Sequence, residues 1–127
     1  MTQDSLYKEI ILEHWENPQN SGVLDHADID ISSYNPLCGD TIRITALIKD
    51  DVIFDIAFTG QGCAISIAYA SVLTEEIKHM KIEQIRKLKP QFILDLVGIT
   101  LTPSRLKCAL LCFTTLQKGV NSKKAGK

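Results

Sequence analysis

Hydrophobic positions along the chain change period several times, and each change marks a new element. Leu6, Ile10, Ile11 and Trp15 recur at helical spacing until Asn17-Pro18 ends the pattern, which predicts an amphipathic helix over residues 4–16. A polar turn follows at Asn20-Ser21-Gly22. From Ile29 to Tyr34 apolar and polar side chains alternate, as in a short edge strand. The alternation resumes after Asn35-Pro36, with Ile42, Ile44 and Ala46 on one face and Arg43 and Thr45 on the other. Asp50-Asp51 makes a tight turn, and Val52 to Thr59 returns as the other arm of an antiparallel hairpin. There Ile53, Asp55 and Ala57 oppose Val52, Phe54, Ile56 and Phe58.

At Gly60-Gln61-Gly62 the period lengthens to about 3.6. Residues 64–78 read as a helix whose small residues (Ala64, Ser66, Ala68, Ala70, Ser71) suit close packing against the sheet. Residues 82–88 and 91–96 predict two short helices separated by Pro90. Pro103 and Ser104 open a last helix, with Leu106, Leu110, Phe113 and Leu116 or Gln117 on one face. Residues 121–127 are basic and small, and read as a flexible tail. No repeat or linker interrupts the series, so residues 1–127 predict one α+β domain of two layers: a helix, three strands, then helices.

Composition adds exclusions. With 127 residues, 45% hydrophobic and 23% charged, the chain matches one globular domain able to bury a core without staples. No apolar run approaches the ~20 residues of a membrane span, and Met1 to Glu9 is too polar for a signal peptide. A cytoplasmic, reducing setting is the expectation. A net charge of −1 gives no overall reason to bind nucleic acid. The basic group Lys78, Lys81, Arg86, Lys87 and Lys89 lacks interleaved aromatic residues and reads as a solvated helical face, with protein docking as the rival. Charge is divided along the chain, however. Residues 1–63 carry 3 basic and 11 acidic side chains, residues 64–127 carry 11 and 4, which suits docking by charge.

In a reducing setting the four cysteines need an explanation. Cys38 lies in Asn35-Pro36-Leu37-Cys38-Gly39-Asp40, where an i, i+2 pair on extended chain can bring thiolate and carboxylate together. Cys63 follows Gly60-Gln61-Gly62 at a helix start, where free N–H groups and the macrodipole favour a thiolate. Cys108 falls in the first turns of the last helix, near Arg105 and Lys107. Any one of these cysteines could be a small core residue. Together, Cys38, Cys63, Cys108 and Asp40 supply three soft sulfurs and one oxygen, the count for tetrahedral zinc or an iron–sulfur cluster. The spacings do not match a zinc finger. A phosphate-loop reading of Gly60-Gln61-Gly62 is weak, because no Gly-Lys-Ser/Thr follows.

Four segments carry a resemblance: Glu13-His14-Trp15-Glu16-Asn17-Pro18, Asn35-Pro36-Leu37-Cys38-Gly39-Asp40, Gly60-Gln61-Gly62-Cys63-Ala64-Ile65-Ser66 and Arg105-Leu106-Lys107-Cys108-Ala109. In this order, over about residues 5–118, the chain resembles the U-type iron–sulfur scaffold family (IscU, SufU and the N-terminal domain of NifU). The resemblance implies a SufE/NifU-like α+β fold: a three-stranded antiparallel sheet packed on one side by helices, with an N-terminal helix and a long C-terminal helix. It implies Cys38, Asp40, Cys63 and Cys108 as ligands, with Cys108 and Cys38 as sulfur-acceptor candidates and no assigned catalytic residue. The partners implied are a cysteine desulfurase, which supplies sulfane sulfur, and acceptor proteins that receive a [2Fe–2S] cluster.

The same resemblance implies a scaffold without turnover. Ligand hardness adds that Asp40 would be a labile fourth ligand on the exit side, with a turn or strand-start Asp satisfying backbone N–H groups as the rival. The alternative is a zinc-dependent sulfurtransferase, with zinc in the same site. Lys107 favours it, standing where IscU members carry histidine. The stretch between Cys63 and Cys108, though, is short for the insertion typical of SufU. Leu101-Thr102-Pro103-Ser104-Arg105 also departs from the Leu-Pro-Pro-Val-Lys motif gripped by dedicated Hsp70 chaperones. Cys112, one turn after Cys108, reads as a core residue, with a spare ligand or persulfide trap as the rival. His14 reads as capping or packing, and His26 and His79 as solvated. A homo-oligomer is left open.

Overall fold

The computed structural model describes residues 3–36 and 39–122, with residues 3–7 described by their backbone alone. The expectations for Cys38 and for residues 123–127 lie outside the described residues. In chain order the elements are α1 (Gln3–Glu16), β1 (Ile29–Asn35), β2 (Asp40–Lys49), β3 (Val52–Gln61), α2 (Ala64–Ile77), α3 (Ile82–Lys87), α4 (Pro90–Val97) and α5 (Pro103–Ser122). The three strands form one antiparallel sheet in the order β1-β2-β3. Helices α2 and α5 lie against one face, giving the expected α+β arrangement.

The hairpin turn follows from its residues. Asp50 and Asp51 both take positive φ (54° and 62°), the twist that joins two antiparallel strands through two residues. Near that turn the register shifts between Leu47 and Ile48. Leu47 faces Asp55 but Ile48 faces Ile53, which leaves Phe54 as the extra residue. The shift corrects the simple alternation expected for β3. Ile53 and Ile56 are both buried, whereas Phe54 is 53% exposed, with the Lys49 ammonium 5.8 Å from its ring centre. Thr45, expected on the face opposite Ile42, Ile44 and Ala46, is buried as well, because the chain leading into β1 crosses over it. The Leu24 N–H donates to Thr45 Oγ1 at 3.0 Å.

Asn20-Ser21-Gly22 is more than a turn. The Gly22 N–H donates to the Phe58 carbonyl and the Phe58 N–H to the Asn20 carbonyl, so this segment occupies the outer edge of β3. It is also tied to α2, through the Gln19 N–H to Ser71 Oγ (2.8 Å) and Asn20 Nδ2 to Thr74 Oγ1 (3.1 Å). His14 Nδ1 shares Ser71 Oγ at 2.6 Å, in line with its packing reading. His26 and His79 are exposed. Trp15, expected on the buried stripe of α1, is 46% exposed, and Ile11 is the buried contact there.

Pro90 does not separate two helices but occupies the first turn of α4, where its missing N–H is harmless. The buried face of α5 is rotated from the expected one. It is built on Cys108, Ala109, Cys112, Phe113, Leu116, Gly119 and Val120, while Leu106 and Leu110 are only partly covered. Small residues on that face let the helix approach β1 closely. Asn121 and Ser122 continue the helix instead of fraying, and the Ser122 hydroxyl donates to the Gly119 carbonyl. Of the basic group, Lys78 pairs with Asp55 and Arg86 with Glu83, while Lys81, Lys87 and Lys89 are exposed.

Gly119 marks the tightest approach of α5 to the sheet. A Cβ there would lie 2.7 Å from Cγ2 of Ile29 and 3.2 Å from Cγ2 of Ile31, methyl groups on stiff β-branched side chains. Gly119→Val is therefore expected to cost about 1–3 kcal/mol by overpacking. The cost is read as a lower urea midpoint with an unchanged slope; an unshifted midpoint would mean that the helix can stand off from β1.

Candidate metal centre

Three elements deliver ligand-type side chains to one end of the sheet. Asp40 is the first residue of β2, entered through Gly39, whose φ of 72° turns the chain after Pro36. Cys63 is the N-cap of α2, in extended conformation (φ −75°, ψ 165°) and without a side-chain cap bond of its own. Cys108 lies in the second turn of α5. Their ligand atoms all fall within 4.8 Å of one another. The group borders a cavity of about 260 Å³, lined also by Gly62, Ser104 and Arg105. Asp40 is 1% exposed and Cys108 3%, while Cys63 is half-buried and opens the group to solvent.

The two glycines before Cys63 have steric reasons, which replace the phosphate-loop reading. A Cβ at Gly60 would sit 2.6 Å from the Thr41 carbonyl oxygen, and one at Gly62 2.2 Å from Asp40 Oδ1. Only hydrogen in place of a side chain lets the carboxylate reach the start of α2. There Asp40 Oδ1 accepts the Cys63 N–H (3.1 Å) and Oδ2 accepts the Ser66 hydroxyl (2.5 Å). The Cys63 sulfur is 3.9 Å from that same Oδ2. In effect a carboxylate from β2 caps a helix whose own N-cap residue does not.

Burial would push the Asp40 carboxyl up, but hydrogen bonds from Ser66, Cys108 and Cys63 together outweigh it and hold the group below the usual range. The carboxylate form is therefore built into the metal-free fold. Two sulfurs and an oxygen, one of them anionic, make a donor set suited to zinc or to iron in a sulfur-rich site. The fit is chemical as well as spatial.

Of the residues expected to form the site, Asp40, Cys63 and Cys108 are brought together, and Cys38 lies outside the described residues. Cys112 is not part of the group. Its thiol is fully buried beneath α5 and donates to the Ala109 carbonyl; burial pushes it up to about 12. Its place in the core, apart from Asp40, Cys63 and Cys108, is that of a small packing residue. Lys107 lines a neighbouring groove with Tyr34, Asn35 and Pro36, while Arg105 and Ser104 border the metal cavity. The sequence pattern predicts packing for Ser66 and places it at the end of the Gly60–Ser66 segment, but assigns it no part in the site. The missed signal is its place three residues after Cys63, on the first turn of α2.

Known proteins share this fold and much of this sequence. A family model described as NifU-like N terminal domain matches residues 6–126. The chain belongs to that family, the U-type iron–sulfur assembly proteins. It is 36% identical to the zinc-dependent sulfurtransferase SufU of Bacillus subtilis, with 97% of this chain and 95% of the relative covered. That alignment spans 140 positions, more than the 127 residues here, so the relative holds residues that this chain lacks. It is 35% identical to the iron–sulfur cluster assembly scaffold protein IscU of Aquifex aeolicus, over 90% of this chain and 73% of the relative. Among solved structures, a putative iron–sulfur cluster assembly scaffold protein for the SUF system from Fervidobacterium islandicum superposes with a TM-score of 0.78 at 25% identity. There the coverage is 94% of this chain and 99% of that one.

Two outcomes follow from the burial and charge of the site. In brief alkylation of the folded, metal-free chain at neutral pH, Cys63 is expected to label and Cys112 to stay unmodified, as read by peptide mass spectrometry; rapid loss of the Cys112 thiol would contradict its sealed position. The Asp40 carboxyl is depressed, so the stability it contributes is complete above the ordinary carboxyl value of about 3.9 and lost as pH falls through its lower folded value. With chelator present, Asp40→Asn should be less stable than the unmodified chain at pH 7, with the gap closing as pH falls below about 4. A gap that is constant across this range would show that the charge of Asp40 does not matter to the metal-free fold.

Proposed function

We propose that the chain is an iron–sulfur cluster assembly scaffold. It receives sulfane sulfur from a cysteine desulfurase, combines it with iron and with electrons from an external reductant as a [2Fe–2S] cluster, and passes the cluster to acceptor proteins. The observation that carries this reading is the convergence of Asp40, Cys63 and Cys108 at a cavity open on one side. Cys38 would complete the ligand set. A half-buried Cys63 leaves the cargo reachable, as delivery requires, and the carboxylate of Asp40 makes one bond of the set exchange more readily than thiolate. Sulfur arrives when a scaffold thiolate attacks the outer sulfur of a desulfurase persulfide. The persulfide then sits on the scaffold and the desulfurase regains its thiolate, with no net oxidation. Cys108 and Cys38 are the candidate acceptors. We take the whole of residues 1–127 as one such domain.

A second reading rests on Lys107 and on the likeness to a protein named as a zinc-dependent sulfurtransferase. In it the same donors hold zinc, and a thiol relays sulfur to another carrier. Anaerobic incubation of the chain with Fe²⁺, L-cysteine, a cysteine desulfurase and a thiol reductant, which reduces the sulfane sulfur to sulfide, separates the two. A scaffold is expected to develop visible cluster absorption, with two irons and two sulfides per chain, and to convert an apo-acceptor. Colourless protein that keeps zinc and still accelerates the desulfurase would sink the scaffold reading and favour the relay.

A further inference from the structure

Ser66 stands where the three ligand-bearing elements meet. It is 6% exposed, on the first turn of α2, and its hydroxyl touches both other elements. Asp40 Oδ2 of β2 is 2.5 Å away, and the Cys108 carbonyl of α5 is 3.4 Å away. A hydroxyl has one hydrogen to give, and the shorter distance assigns it to Asp40. The terminal torsion of an aspartate is soft and has no sharp wells. In the metal-free chain the thiols of Cys63 and Cys108 also bond this carboxylate, but a sulfur that ligates a metal as thiolate has no hydrogen to give. The Cys63 N–H to Oδ1 alone would then leave the carboxylate free to turn about that contact. A second bond, to the other oxygen and from a different direction, fixes its plane. Each oxygen keeps a further lone pair, so this anchoring leaves Asp40 able to bind a metal.

We infer that Ser66 is a positioning residue, holding the Asp40 carboxylate in the orientation that lets it share a metal ion with Cys63 and Cys108. The inference rests on the metal-site reading above. Hydrogen-bonded partners of metal ligands typically control affinity by about 10- to 100-fold. Ser66→Ala should therefore weaken zinc binding by about that factor, whereas Ser66→Thr, which keeps the hydroxyl, should stay within about threefold of the unmodified chain.

The test is zinc titration of the chelator-stripped chain against a chromophoric competitor, with thermal unfolding of each metal-free variant to establish that it is folded. A double-mutant cycle supplies the decisive readout. Asp40→Asn keeps both hydrogen-bond contacts possible but donates poorly to zinc. If Ser66 acts through Asp40, adding Ser66→Ala to Asp40→Asn changes the affinity by less than about twofold. Equal weakening in both backgrounds would mean a merely structural role and overturn the inference. Ser66→Ala at unmodified affinity, with Asp40→Asn clearly weakened, would overturn it too and leave the metal reading standing. Asp40→Asn at unmodified affinity would overturn both.

Discussion

Asp40 brings a negative charge into a nearly sealed place at the end of the sheet, and the surrounding structure is arranged to make that tolerable. A buried carboxylate needs donors on its oxygens. They come from the N-terminus of α2, where the Cys63 N–H and the Ser66 hydroxyl are otherwise without a local cap. Gly62 must lack a side chain for the contact to form, and Gly60 must lack one for β2 and β3 to close beside it. At this end of the sheet, β2 and α2 thus meet through one charged side chain. The two cysteines beside it inherit their separation from that joint.

This arrangement explains why the chemistry sits on tips of elements, not within them. Cys63 ends a strand-to-helix connection, Asp40 begins a strand, and Cys108 lies in the second turn of the proline-started α5. Each tip is held by backbone that is already paired, so the donors are placed without a long loop to order. Cys112 shows the contrast. One turn further along the same helix, it falls inside the core, where its sulfur is simply a small apolar atom with a weak bond to Ala109.

Much of this was legible in the pattern of residues. Every helix and strand was expected near its observed bounds, because periods of 2 and 3.6 and the breaks at Pro18, Gly60 and Pro103 are local signals. Asp40, Cys63 and Cys108 were picked out by their junction settings and their motifs. What escaped was non-local. The exposure of Phe54 depends on a register shift against β2, and the burial of Thr45 on a crossing segment. The rotation of the buried face of α5 depends on how near the helix can come to Ile29. Ser66 escaped for the same reason, since its partner lies 26 residues earlier and its size alone suggests packing.

The segment from Gln19 to Gly22 links events at the N-terminus to the sheet. It occupies the outer hydrogen-bonding edge of β3, and its hold on α2 passes through Ser71 and Thr74, the first of which also meets His14 of α1. Helix α1 and the strand edge are therefore fastened at the same place. Any partner that peels α1 away from α2 also loosens the cover on β3, uncovering a row of backbone donors and acceptors ready to pair with another chain. Engagement of the N-terminal helix and protection against edge-to-edge aggregation are, in this molecule, two uses of one clasp.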